Sequence, residues 1–148
     1  MATITLTAAS ILPNETSPTT AVFNSFPVIA GETLTAGMFV YKKASDGRYW
    51  LADNSTAEKS TVAGIVANGA VAGQRFNLIQ RDTELPVGTG PVPGRLYGLS
   101  STPGKMCDIA DVATTGSIYL LVLTQANSSV ENTLRFNFST PVAGILND

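Results

Sequence analysis

Three glycines of this chain recur in one register: Gly31, Gly37 and Gly47 return 57 residues later as Gly88, Gly94 and Gly104. Tight turns demand glycine, so a repeated set of glycines predicts a repeated set of turns. The residues between them agree in character. Gly37-Met38-Phe39-Val40 lies over Gly94-Arg95-Leu96-Tyr97, and Gly47-Arg48-Tyr49 over Gly104-Lys105-Met106, with a basic residue after the third glycine of each copy. Downstream, Val62, Ile65 and Val66 fall over Tyr119, Val122 and Leu123. Arg75-Phe76-Asn77 then returns as Arg135-Phe136-Asn137 at a separation of 60, which implies about three inserted residues, placed in polar, proline-free Gln125 to Asn132. Residues 31–79 and 88–138 read as two copies of one unit, joined by a link containing Pro86, Gly88, Gly90 and Pro91.

The unit is strand-rich. Phe39-Val40-Tyr41 is an aromatic and β-branched run, Ser45-Asp46-Gly47 is a strong turn signal, and Tyr49-Trp50-Leu51 returns as the second strand of a hairpin. Its counterpart runs through Leu96-Tyr97, a turn at Ser101-Thr102-Pro103-Gly104, and Lys105-Met106-Cys107. Val62 to Ala67 and Arg75 to Ile79 form a further predicted pair after the Asn68-Gly69 turn, matched by Ile118 to Thr124 and Thr133 to Phe138. No window carries a helical period with caps; Asn54 to Thr61 and Ala110 to Thr115 could hold one turn each. The predicted class is therefore all-β: two tandem pseudo-repeats of short strands, each too small to close its own core, sharing one barrel-like or sandwich-like domain.

Residues 1–30 read differently, as an extended N-terminal arm preceding a β domain over 31–148. Thr3-Ile4-Thr5-Leu6-Thr7 alternates with period two, and Pro13, Pro18 and Pro27 then punctuate a stretch rich in Thr, Ser and Asn. Such an arm can add a strand to the exposed sheet edge of a partner. Ile4, Leu6, Ile11, Leu12, Phe23 and Phe26 are its candidate contacts.

The chemistry-bearing residues are sparse. Histidine is absent, which excludes Ser-His-Asp, Cys-His and HExxH machinery, and a single cysteine, Cys107, allows neither an intrachain disulfide nor a thiolate zinc cluster. Cys107 falls over Trp50 in the repeat and reads as a buried, inert thiol. The glycine-rich run Gly64 to Gly73 lacks the Gly-Lys-Ser/Thr ending of a phosphate loop. Asp53, Asp108 and Asp111 could suggest a hard-cation site but lack a dense ligand loop, and Glu15, Glu32, Glu58 and Glu84 have no spacing that pairs them. Arg75 and Arg135 are strand residues available for a carboxylate on a neighbouring subunit. We expect no catalytic residue, metal or cofactor. Nine basic against 11 acidic residues offer no polyanion surface, so no nucleic-acid partner is expected. No apolar run approaches a bilayer span, and Met1 to Ser10 lacks the basic start of a secretory signal, so synthesis in a cytosol without a membrane partner is expected. Only 14% of the residues are charged, which leaves a surface of hydroxyls and amides suited to static contacts.

Pro27-Val28-Ile29-Ala30-Gly31-Glu32-Thr33-Leu34-Thr35-Ala36-Gly37-Met38-Phe39-Val40, followed by Val62-Ala63-Gly64-Ile65-Val66 and Ala72-Gly73-Gln74, resembles the small head-decoration, or cement, proteins of tailed bacteriophages. The shared pattern is a glycine, a short loop, a second glycine, a hydrophobic strand and a later Ala-Gly-Ile/Val step; it covers residues 27–79 best, and 88–124 through the repeat. The resemblance implies a β-rich, non-enzymatic virion protein on the outer capsid surface. Its partner would be the major capsid protein, and its usual state a homo-oligomer, with a trimer favoured. The duplicated unit departs from single-unit members, because one chain could replace two subunits of a ring. A receptor- or glycan-binding domain of a tail fibre or baseplate is the alternative, with Phe39, Tyr41, Tyr49 and Trp50 as a sugar-stacking platform.

Overall fold

The computed structural model describes residues 3–4, 22–23, 28–88, 96–108, 121–126 and 132–137. Twelve strands account for the regular structure there: β1 (Thr3–Ile4), β2 (Val22–Phe23), β3 (Val28–Ile29), β4 (Phe39–Lys42), β5 (Tyr49–Leu51), β6 (Val62–Val66), β7 (Arg75–Phe76), β8 (Leu78–Gly88), β9 (Leu96–Leu99), β10 (Met106–Asp108), β11 (Leu121–Ala126) and β12 (Asn132–Asn137). The protein is all-β, with no helix among the described residues. Ten strands form one antiparallel sheet in the order β1-β10-β9-β11-β12-β8-β6-β4-β5, with β2 also on β8, while β3 and β7 form a separate pair.

Leaving aside β1 at one end, the sheet order is similar from either side of the β12-β8 pair. β4 lies between β5 and β6, with β6 on β8; β9 lies between β10 and β11, with β11 on β12. The long strand β8 links the halves, pairing with β6 at Leu78 and Ile79 and with β12 from Arg81 to Gly88.

Period-two alternation places the side chains of the central strands on opposite faces. Phe39, Tyr41, Ile65 and Ile79 belong to one buried cluster, and their chain neighbours Val40, Val66 and Leu78 belong to another. The first cluster joins both halves, since Tyr97, Leu99 and Met106 complete it. The second is roofed by Val28, Ala30, Leu34, Ala70 and Phe76. β4, β6 and the start of β8 thus form a middle layer, which is why they read as apolar runs rather than as hydrophobic-polar alternation. Gly64 in β6 is part of this fit: a Cβ there would meet the Ile79 carbonyl oxygen at 2.5 Å.

The sheet does not close into a barrel, because both of its ends are already occupied. β1 covers the outer side of β10, with Thr3 opposite Cys107 and Ile4 opposite Met106. On β5, Ala30 bridges Tyr49, the Gly31 N–H donates to the Tyr49 carbonyl at 2.8 Å, and the Leu51 N–H donates to Glu32 Oε2 at 2.9 Å. The expected pairing of Val62–Ala67 with Arg75–Ile79 is divided at Asn77. Leu78 and Ile79 pair with β6, whereas Arg75 and Phe76 turn away to pair with β3.

Trp50 is the single tryptophan and lies in the first half, whereas Met106, fully buried, lies in the second. A shared core predicts that Met106→Ala shifts the unfolding transition reported by Trp50 fluorescence by about 2–5 kcal/mol, in step with far-UV circular dichroism. A Trp50 transition that ignores this substitution would mean two independent cores.

Candidate interaction surface

The β4–β5 hairpin presents an exposed polar constellation. Its ladder is closed by the Lys43 N–H donating to the Arg48 carbonyl at 2.9 Å, and Gly47 holds the turn with a φ of 70°. Asp46 fixes the tip: its Oδ1 accepts from the Arg48 N–H at 2.9 Å, and its Oδ2 accepts from Trp50 Nε1–H at 3.1 Å. The Lys43 ammonium lies 4.7 Å from the Trp50 ring centroid, a cation–π distance, and the Ala44 N–H donates to Glu58 Oε2 at 3.0 Å. Residues 44–48 are exposed.

This arrangement does not give the four aromatics an open face for a sugar. Phe39 and Tyr41 are buried, and Tyr49 is buried edge-on to Phe76 at a centroid distance of 6.0 Å. Trp50 is half-buried, with Gly31 packed so closely on the indole that a Cβ there would collide with it. Lys43 further covers the ring.

The β9–β10 hairpin is built similarly and used differently. The Ser100 N–H donates to the Lys105 carbonyl at 3.0 Å, and Gly104 has a φ of 78°. Here the turn is docked on the chain itself: the Gly104 N–H donates to the Ala52 carbonyl at 2.7 Å, and its carbonyl accepts from the Phe39 N–H at 3.1 Å. Buried Asn54 adds a backbone bond to the Ser100 carbonyl at 3.2 Å and a side-chain bond to the Leu99 carbonyl at 3.0 Å. Asp53 is occupied locally, its Oδ1 accepting from the Ser55 N–H and hydroxyl. No three His, Cys, Asp or Glu side chains converge on a metal position among the described residues.

Of the candidate arm contacts, Ile4 is half-buried and packs against the chain's own core, and Phe23 stands in register with Ile79. Leu6, Ile11, Leu12 and Phe26 lie outside the described residues. Val28 and Ala30, also counted in the arm, are buried. Cys107 is buried, as expected. The sequence reading missed two exposed apolar side chains, Ile29 and Val71. They sit on segments tied together by the Ala30 N–H donating to the Gln74 carbonyl and the Gly73 N–H donating to the Ala30 carbonyl, each at 2.8 Å. Val71 in the Asn68-to-Gly73 loop was the available signal, since a turn has no need of a bulky aliphatic.

The chain matches no protein-family model, no curated protein and no solved structure.

Burial raises the Tyr41 phenol above its ordinary range, and the carboxylates of Glu58, Asp53, Glu32 and Asp46 push the same way. The unfolded chain therefore ionises first. This contribution to stability is fully present below the unfolded value near pH 10 and is lost as pH rises through the higher value of the folded phenol. Urea midpoints measured from neutral to strongly alkaline pH should fall less steeply above pH 10 in Tyr41→Phe than in the wild type.

Proposed function

We propose that this protein is a non-enzymatic structural component of a tailed-phage virion that decorates the outside of the capsid and bridges neighbouring capsomers. The observation that carries the reading is the glycine-punctuated pattern over residues 27–79, together with the strands those residues form. Gly37, with a φ of 91°, turns the chain into β4, and the Ala63-Gly64-Ile65 step lies in β6 where it meets β8.

The chain is, on this reading, a tandem duplication. β4 and β9, and likewise β5 and β10, stand 57 residues apart, the separation of the glycine repeat. The similar order of β10-β9-β11-β12 and β5-β4-β6-β8 in the sheet supports it, as do the two turns with positive φ at Gly47 and Gly104. A duplicated chain suits a lattice, where many modest contacts add through avidity. The sparsely charged, hydroxyl-rich composition suits a lasting contact that does not rely on steering.

The partner is the major capsid protein, and the arm makes the contact through Leu6, Ile11, Leu12 and Phe26. Ile4 and Phe23 stand on strands paired within the chain's own sheet, so they anchor the arm at its two ends. The test uses heads of the encoding phage prepared without this gene product. Purified protein should cosediment with them at a fixed ratio and raise the temperature at which they release DNA. Replacing Leu6, Ile11 and Leu12 together by serine should weaken that binding by more than about tenfold while leaving the unfolding midpoint in place. Heads saturated equally by this variant would refute the arm contact, and heads that ignore the wild type would refute the function. Glycan binding abolished by Trp50→Ala would instead support the receptor-binding alternative.

A further inference from the structure

The two hairpins are closed by the same backbone bond but by different residues. In β4–β5 the Lys43 N–H donates to the Arg48 carbonyl, and in β9–β10 the Ser100 N–H donates to the Lys105 carbonyl, with a glycine of positive φ before each acceptor. Two cations therefore stand opposite each other at the tip of β4–β5, where β9–β10 has a buried serine opposite a single lysine. Like charges placed opposite one another oppose strand pairing, and Ser100 shows that the closure does not require them.

No carboxylate relieves this pair. Asp46 directs its oxygens at the Arg48 N–H and the Trp50 indole N–H, and Glu58 Oε2 accepts from the Ala44 N–H. Neither Lys43 nor Arg48 is ion-paired among the described residues. Period-two alternation puts Arg48 on the face of Trp50, over whose ring Lys43 lies, so the two cations border one side of the hairpin. Arg48 is exposed, Lys43 is half-buried, and exposed Lys42 adds a third positive charge one residue back.

We propose that Lys43 and Arg48, with Lys42 beside them, form a docking site for a carboxylate-rich polypeptide segment of a partner. A carboxylate seated between the two cations converts their repulsion into attraction; the guanidinium can take it through two parallel N–H bonds, and the ammonium acts as a point charge. The turn is already fixed by Asp46 and Glu58, so little ordering accompanies docking. Carboxylates fit better than a nucleic acid. Three cations at one turn give no track for a phosphate backbone, and Gly31 and Lys43 close Trp50 to base stacking. The site is separate from the arm contact proposed above and does not depend on it.

The test follows the anisotropy of fluorescein-labelled octaglutamate added to the full-length protein. The wild type should bind it at low salt and lose about tenfold or more in affinity between about 20 and 200 mM salt. Lys43→Ser, which copies the second hairpin, should weaken binding about fivefold or more. Arg48→Glu should abolish binding while the urea midpoint stays in place or rises, because a cross-strand ion pair with Lys43 replaces the repulsion. Lys105→Ser, at the closure of the other hairpin, should bind as the wild type does. A wild type that ignores octaglutamate at low salt, or Lys43 and Arg48 variants that bind as tightly as the wild type, would overturn the proposal. A loss in Lys105→Ser equal to that in Lys43→Ser would also overturn it, by reducing the binding to net charge. Octathymidylate bound as tightly through the same residues would overturn the preference for carboxylates.

Discussion

The middle layer formed by β4, β6 and the start of β8 can exist only if both of its faces are covered. Alternation sends Phe39, Tyr41, Ile65 and Ile79 one way and Val40, Val66 and Leu78 the other, so uncovering either face would expose several large apolar side chains. One cover is supplied by β9 and β10, from the far half of the sequence. The other comes from residues 28–34 and 70–76, which flank the layer in the chain. Neither cover is a module with a core of its own. Stability is therefore distributed over contacts distant in sequence, and the Asn54 bonds to Leu99 and Ser100 secure the same junction from its polar side.

The same dependence explains how the sheet ends. An uncovered edge is a template for uncontrolled strand addition. Here β1 lies along β10, and Ala30 and Gly31 lie along Tyr49. At Leu51 a carboxylate rather than a backbone carbonyl takes the outward N–H, which places the charge of Glu32 where another strand would have to approach. Both ends of the sheet are thereby closed to simple edge pairing.

Much of this was legible in the sequence where local chemistry decides the outcome. Asp46-Gly47 and Pro103-Gly104 announce turns, and both hairpins form with those glycines at positive φ. The absence of helix among the described residues agrees with the missing helical period. What escaped the sequence depends on pairing at long range. Val28 and Ile29 follow a proline and make a strand of two residues, too short to show any period, yet they find Phe76 and Arg75, and Val28 becomes part of the roof. The division at Asn77 was equally hidden: its N–H takes the Asn68 side-chain oxygen at 2.8 Å, and its carbonyl accepts from the Ala67 N–H. That local bonding ends one strand pair and begins another, and hydrophobic pattern carries no trace of it. For the interaction surface, composition identified the aromatic residues near the hairpin, but only the fold shows that three are buried and that the fourth is clasped by Lys43 and Gly31.

Cys107 sits beside the N-terminal strand, in register with Thr3, with none of its surface open to solvent. Because it is the sole thiol of the chain, reagents such as maleimides find no native target in the folded protein. A cysteine introduced on the exposed hairpin tip would then be the one reactive handle per subunit, so fluorophores, peptides or antigens could be attached at a defined position without first removing a native residue.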